Sequence, residues 1–113
     1  MNYSIATTER FDKNVKRLSK KYRSLKNDLV LFQEELLKNP TMGDDLGDNT
    51  RKVRMAIASK NKGKSGGARV ITYHFFVDIE STEIYMLAIY DKSEQETISE
   101  QEIRQIKEIT GLI

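Results

Sequence analysis

Seven cations with no anion among them mark where this chain concentrates its chemistry. From Asn49 to Val77 it carries Arg51, Lys52, Arg54, Lys60, Lys62, Lys64 and Arg69, and no Asp or Glu. The whole chain has 19 basic and 17 acidic residues, which leaves 12 basic against 17 acidic outside that window. Positive charge gathered in this way is the electrostatic footprint of a polyanionic partner, most often nucleic acid. Arginine adds a planar fork matched to phosphate. Such groups can also cleave RNA. When a ribose 2′-OH attacks the adjacent phosphorus, charge builds on the phosphorane oxygens, and a donor aimed at such an oxyanion is worth about 3–4 kcal/mol. Proton transfer then calls for a Tyr or for a Lys of lowered pKa. Tyr90, Tyr73 and His74 are the local candidates. The plainer reading of a Lys/Gly stretch is a solvated turn; the even spacing of the cations across both flanking strands counts for function.

Other chemistries fit less well. Gly63-Lys64-Ser65 resembles the end of a phosphate-binding P-loop, but that motif needs a Gly at position 58 and a helix afterwards. Position 58 is Ala, and the residues that follow read as a strand. With one histidine and no cysteine, neither a His-based nor a thiolate metal site can be assembled, and no cofactor or metal is expected. Lone His74, among Tyr73, Phe75 and Phe76, reads first as a packed strand residue. The basic region holds no carboxylate pair of the kind glycosidases and two-metal nucleases use.

The elements that would position these residues follow from periodicity. Tyr3 and Ile5 share one side of a short first strand, Met1 to Ala6. Thr7 or Thr8 can cap a helix whose stripe is Phe11, Val15, Leu18 and Tyr22, with Lys13, Lys16, Arg17, Lys20 and Lys21 on the opposite face. Ser24 is placed to cap a second helix, in which Leu25, Leu29, Phe32 and Leu36 form the stripe and Val30 and Leu37 widen it. Pro40 ends that helix, completing a helical hairpin. Thr41 to Thr50 reads as loop. Then period two sets in: Val53, Met55 and Ile57 face one way, onto the helix pair, and Lys52, Arg54, Ala56 and Ala58 the other. The two small alanines would leave room there for a ligand. Lys60 to Gly67 reads as a flexible turn and Ala68 to Val77 as a strand apolar on both faces. Glu83 to Tyr90 is another strand. Ser99 and Glu102 form a capping box for a last helix striped by Ile103, Ile106 and Ile109. The order βααβββα predicts one α+β domain over residues 1–113, with an antiparallel sheet of three to four strands.

At 113 residues, 38% hydrophobic and 32% charged, the chain can bury a core as a single soluble domain. No apolar run approaches the roughly 18 residues that a membrane span needs. The first residues lack the layout of a signal peptide, so a cytoplasmic protein is expected, with no membrane partner.

The run KVRMAIASKNKGKSGGARVITY, followed by IYMLAIYDKSEQETIS, resembles the RelE/ParE toxin superfamily. It is most similar to its HigB-like, phage-derived branch, in which a strand ending in basic residues precedes a GK-x-GG-x-R turn and a later strand ends in Y-x-K-x-E. The likeness covers most of the chain, since the helical hairpin and the last helix also fit. It implies a toxin held by a cognate antitoxin, in this branch a helix-turn-helix DNA-binding protein. In the RelE and HigB lineages it further implies a metal-independent endonuclease acting on mRNA in the ribosomal A site. Carried over by motif position, Lys52 and Arg54 face the message, Arg69 grips the scissile phosphate and Lys92 closes the later strand. Arg54, Arg69, Tyr90 and Lys92 are then the expected catalytic group, and Lys52, Lys60, Lys62 and Lys64 the expected RNA contacts. The chain departs from RelE proper at Ser93, where an arginine would stand, and it has no Tyr or His after Tyr90. The alternatives are a ParE-like toxin that binds gyrase, a toxin that blocks another target without cutting, and a plain RNA-binding module.

Overall fold

A computed structural model describes residues 1–113. The element order is β1 (Asn2–Thr7), α1 (Glu9–Lys21), α2 (Leu25–Lys38), β2 (Asp44–Gly47), β3 (Thr50–Met55), a 3-10 turn (Ala58–Lys60), β4 (Ala68–Phe76), β5 (Ser81–Asp91) and α3 (Glu100–Thr110). The strands form one sheet in the order β1-β5-β4-β3-β2. The fold is α+β, as expected, but the sheet is mixed and has five strands rather than an antiparallel three or four.

Two features account for the difference. β1 pairs parallel with β5, because the α1–α2 hairpin carries the chain back across the sheet before β2 begins. And β2 lies inside the stretch read as loop. Its Asp-Asp-Leu-Gly sequence has little strand propensity, and it is exposed along its whole length at the sheet edge, where no buried face imprints a pattern. Asp48 and Asn49, at φ 51° and 59°, form the left-handed two-residue turn joining β2 to β3, the conformation that suits a tight hairpin.

Both faces of the sheet are covered. On one, α1 and α2 bury Phe11, Leu18, Leu25, Leu29, Phe32 and Leu36 against Val53, Met55, Ile57, Val70, Ile84, Met86 and Ile89. On the other, α3 buries Ile103 and Ile106 against Ile71, Leu87, Ala88 and Tyr90. A strand covered on both faces loses its apolar/polar alternation, which is why β4 reads as apolar in both parities. The stripes are narrower than their periodicity predicts. Val30, Leu37 and Ile109 point to solvent, Ile109 with 81% exposure.

The helix starts divide between expectation and correction. Thr8 accepts from the Phe11 amide at 3.0 Å, and its hydroxyl donates to the Leu87 carbonyl at 2.7 Å, tying α1 to β5. Ser99 accepts from the Glu102 amide and caps α3. Ser24 stands at the start of α2 but does not cap it; its hydroxyl bonds the Asp28 carboxylate and Ser59 instead. No helix is long and apolar enough to cross a membrane.

Candidate functional site

The cations meet because of strand register. β3 and β4 are antiparallel with Arg54 opposite Arg69, and β4 and β5 with Arg69 opposite Tyr90. Directly opposed residues point to the same face, so Arg54, Arg69 and Tyr90 form one row across the α3 side of the sheet. The next row on that face is Lys52, Ile71 and Ala88. The expectation that Val53 and Met55 face the helix pair while Lys52 and Arg54 face away is met. Arg54 is exposed and Lys52 half-buried. Neither makes an ion pair or a side-chain hydrogen bond within the protein.

Arg69 is only 7% exposed. One Nη1 reaches the carbonyls of Lys64 at 3.2 Å and Ala68 at 3.1 Å, and Nη2 reaches that of Ser65 at 3.0 Å. Nε and one Nη2 hydrogen are left without an acceptor in the protein. The Arg69 guanidinium is therefore buried and scaffolds the turn. Like charges directly opposite across a strand pair repel, yet no carboxylate is paired with either Arg54 or Arg69.

The glycines of the turn serve this packing. A Cβ at Gly67 would collide with the Met55 carbonyl and crowd Ala56 and Ile57, so only glycine lets the start of β4 lie against the end of β3. The Lys92 amide donates to the Gly67 carbonyl at 3.1 Å, which docks the end of β5 on the same turn.

Tyr90 lies in the row but beneath cover. It is 4% exposed, packed with Ile98, Ile103 and Ile106, and its buried hydroxyl has no hydrogen-bond partner. Burial pushes its pKa up, outweighing the Arg69 charge and the nearby Thr97 hydroxyl, which lies outside hydrogen-bonding geometry. Lys92 continues the same parity past the strand end, half-buried, with Nζ 3.9 Å from Glu96. His74 stands on the other face, against Tyr3 and the Pro40 carbonyl. Burial lowers its pKa. It takes no part in the row.

The four lysines expected to touch RNA separate. Lys62 is exposed and unpaired. Lys64 is exposed and 3.0 Å from Glu35. Lys60 is no loop cation at all: its side chain is 6% exposed and its ammonium lies 2.7 Å from Asp91, whose side chain is wholly buried. Burial alone would raise the Asp91 carboxyl, but hydrogen bonds from Lys60, Tyr22 and Ser93 outweigh it and hold the pKa well below the usual carboxylate range. The stretch read as a flexible turn is thus anchored at its start by Lys60 and at its end by Arg69.

Sequence reasoning missed Lys107. This α3 lysine is 7% exposed, donates to the Thr50 hydroxyl at 2.6 Å and lies over the Tyr73 ring at 4.5 Å. Burial lowers its pKa, against the pull of Asp48. It borders a cavity of about 770 Å³ between α3 and the β2–β3 hairpin, lined also by Lys52, Ile71 and Tyr73. Space for a ligand had been expected beside Ala56 and Ala58; it lies at the opposite end of β3. An amphipathic-helix reading counts Lys107 as a solvated last-turn cation, and only the hidden β2–β3 hairpin buries it.

The family model described as RelE toxin of RelE / RelB toxin-antitoxin system matches residues 9–113. That span runs from the first residue of α1 to the end of the chain and holds every element of the row, so the chain belongs to the RelE toxin family and is a toxin of a toxin–antitoxin system, with an antitoxin as its partner.

Proposed function

We propose that this toxin is a ribosome-dependent mRNA endonuclease of the HigB-like branch, acting in the cytoplasm by attack of a ribose 2′-OH on the adjacent phosphorus. The observation that carries the reading is the direct opposition of Arg54 and Arg69 with no carboxylate paired to either. Two arginines on directly opposed strand positions without a counter-ion are a site in want of an anion, and a phosphate in flight to a phosphorane is the anion they would stabilise most. Lys52 and Lys62 extend the contact along the strand and the turn, Lys64 joins them on releasing Glu35, and Lys92 closes the far end. Tyr90, protonated at neutral pH, is suited to give its proton to the departing 5′-oxygen once the cover of α3 lifts. The 2′-oxygen, its proton passing to solvent, bonds to phosphorus as the P–O5′ bond breaks, leaving a 2′,3′-cyclic phosphate and a 5′-hydroxyl, and the Tyr90 phenolate regains a proton from solvent. The antitoxin, a helix-turn-helix DNA-binding protein on this reading, would cover the row.

The burial of Tyr90 favours one second reading, a toxin that blocks its target without cutting, as a ParE-like gyrase binder would. Primer extension on a message translated in vitro separates the two. New 5′ ends inside codons are the expected result; an intact message with accumulated cleaved gyrase–DNA complexes would replace this reading with the ParE-like one.

A further inference from the structure

Lys107 is a buried cation with no carboxylate partner. Its one hydrogen bond is to a neutral hydroxyl, Thr50 Oγ1, which is itself engaged with the Asp48 carbonyl at 2.9 Å. Such a charge is costly to hide, and the Tyr73 ring beneath it compensates only in part. The ammonium also borders the cavity of about 770 Å³ between α3 and the β2–β3 hairpin. A lysine at a cavity wall with no carboxylate in ion-pair contact, only the longer-range pull of Asp48, is placed to receive an anion from outside.

Register shows which anion. Thr50, Lys52 and Arg54 are alternate residues of β3 and share the α3 face, so successive rows are roughly 7 Å apart along the strand. Lys107 is fixed at the Thr50 row. The cations Arg54, Lys52 and Lys107 therefore stand in single file down one face of the sheet, the arrangement that tracks a phosphodiester backbone. The cavity wall supplies an aromatic ring, Tyr73, and neutral hydrogen-bonding groups on Asn49, Thr97 and Gln101, which suit a base. It also carries Arg104 and the carboxylates Asp48 and Glu100, and the carboxylates disfavour a second phosphate beyond the one at Lys107 and Lys52.

We infer that the cavity between α3 and the β2–β3 hairpin is a nucleotide subsite of the RNA cleft, in which Lys107 and Lys52 hold the phosphate next to the cleaved one and Tyr73 supports the base. This rests on the reading of the Arg54–Arg69 row as the cleavage site and adds a second, non-reacting phosphate to it. Lys107 is a binding residue here; it touches no reacting atom.

The test uses the whole wild-type chain with lysine side chains labelled at Cε, titrated by NMR with a short 2′-O-methyl RNA that cannot be cut. The Lys107 and Lys52 signals should shift together along one binding curve. Lys107→Met should weaken binding roughly tenfold, the effect of one charge-assisted hydrogen bond, and make the log–log salt slope shallower by about 0.7. Lys107→Arg should recover part of both. A Lys107 signal that stays still while Lys52 titrates would overturn the subsite and leave the Arg54–Arg69 reading intact, and so would wild-type affinity in a folded Lys107→Met. If the Lys52 signal is also still and Arg54→Ala binds like wild type, the RNA reading itself has failed. A poly-glutamate peptide that shifts Lys107 where the RNA does not would assign the cavity to an acidic protein segment instead. Should Lys107→Met fail to fold, the wild-type titration alone decides.

Discussion

Arg54 and Arg69 differ in burial far more than in chemistry, and that difference sets what each substitution does. Arg54 is exposed and makes no ion pair or side-chain hydrogen bond in the protein, so Arg54→Ala should abolish growth arrest with stability unchanged within about 0.5 kcal/mol. Arg69 holds three carbonyls of the turn. Arg69→Ala strands them, at about 1–3 kcal/mol, and should lower the melting temperature as well as abolishing arrest. Thermal unfolding beside a growth assay reads both outcomes. Equal melting temperatures for the two variants would mean that the Arg69 bonds carry no stability. The sequence made the identity of this pair legible, through the basic strand and the GK-x-GG-x-R turn, but not its burial. No periodicity distinguishes an arginine that reaches into solvent from one that curls back onto its own turn.

Among the elements, the turn between β3 and β4 divides its lysines between structure and binding. Lys60 forms a buried pair with Asp91, and breaking such a pair from one side costs about 3–5 kcal/mol. Lys60→Gln should therefore destabilise strongly, whereas Lys62→Gln should leave the melting point alone and reduce the salt slope of RNA binding by about 0.7. A Lys60→Gln protein as stable as wild type would return that lysine to the solvated turn. The same pair sets an acid response. The folded Asp91 carboxyl is depressed below its ordinary value, so its contribution is complete above the ordinary carboxylate range and is lost as pH falls below about 4 toward the depressed value. Asp91→Asn should be less stable at neutral pH and show a flatter loss of stability on acidification; chemical denaturation across pH measures both. Helices α1, α2 and α3 and strands β3 to β5 were readable from their stripes, and α1 and α3 from their caps as well. The edge strand β2 was not, since an exposed strand of Asp, Leu and Gly has neither β-branched residues nor a buried face. The Lys60–Asp91 pair joins residues 31 positions apart, a separation that local pattern does not span.

At the scale of the whole molecule, α3 both closes the sheet and covers Tyr90. It is anchored by Ile103, Ile106 and the Lys107–Thr50 bond, with Ile109 left in solvent. A cover that must lift for chemistry belongs to the low-stability end of the fold. Hydrogen exchange should find α3 amides opening well before those at the centre of β4 and β5; protection as high as that of the central strands would leave Tyr90 sealed from the reaction. The central claim is that the Arg54–Arg69 row cleaves RNA through the 2′-OH, and the end groups of the cut message test it most directly. A message translated in vitro with the toxin, in the presence of a chelator too dilute to strip ribosomal magnesium but sufficient for trace transition metals, should yield fragments ending in 2′,3′-cyclic phosphate and beginning with 5′-hydroxyl, and none with Arg54→Ala. Fragments with 3′-hydroxyl and 5′-phosphate ends, or undiminished cleavage by Arg54→Ala, would contradict it.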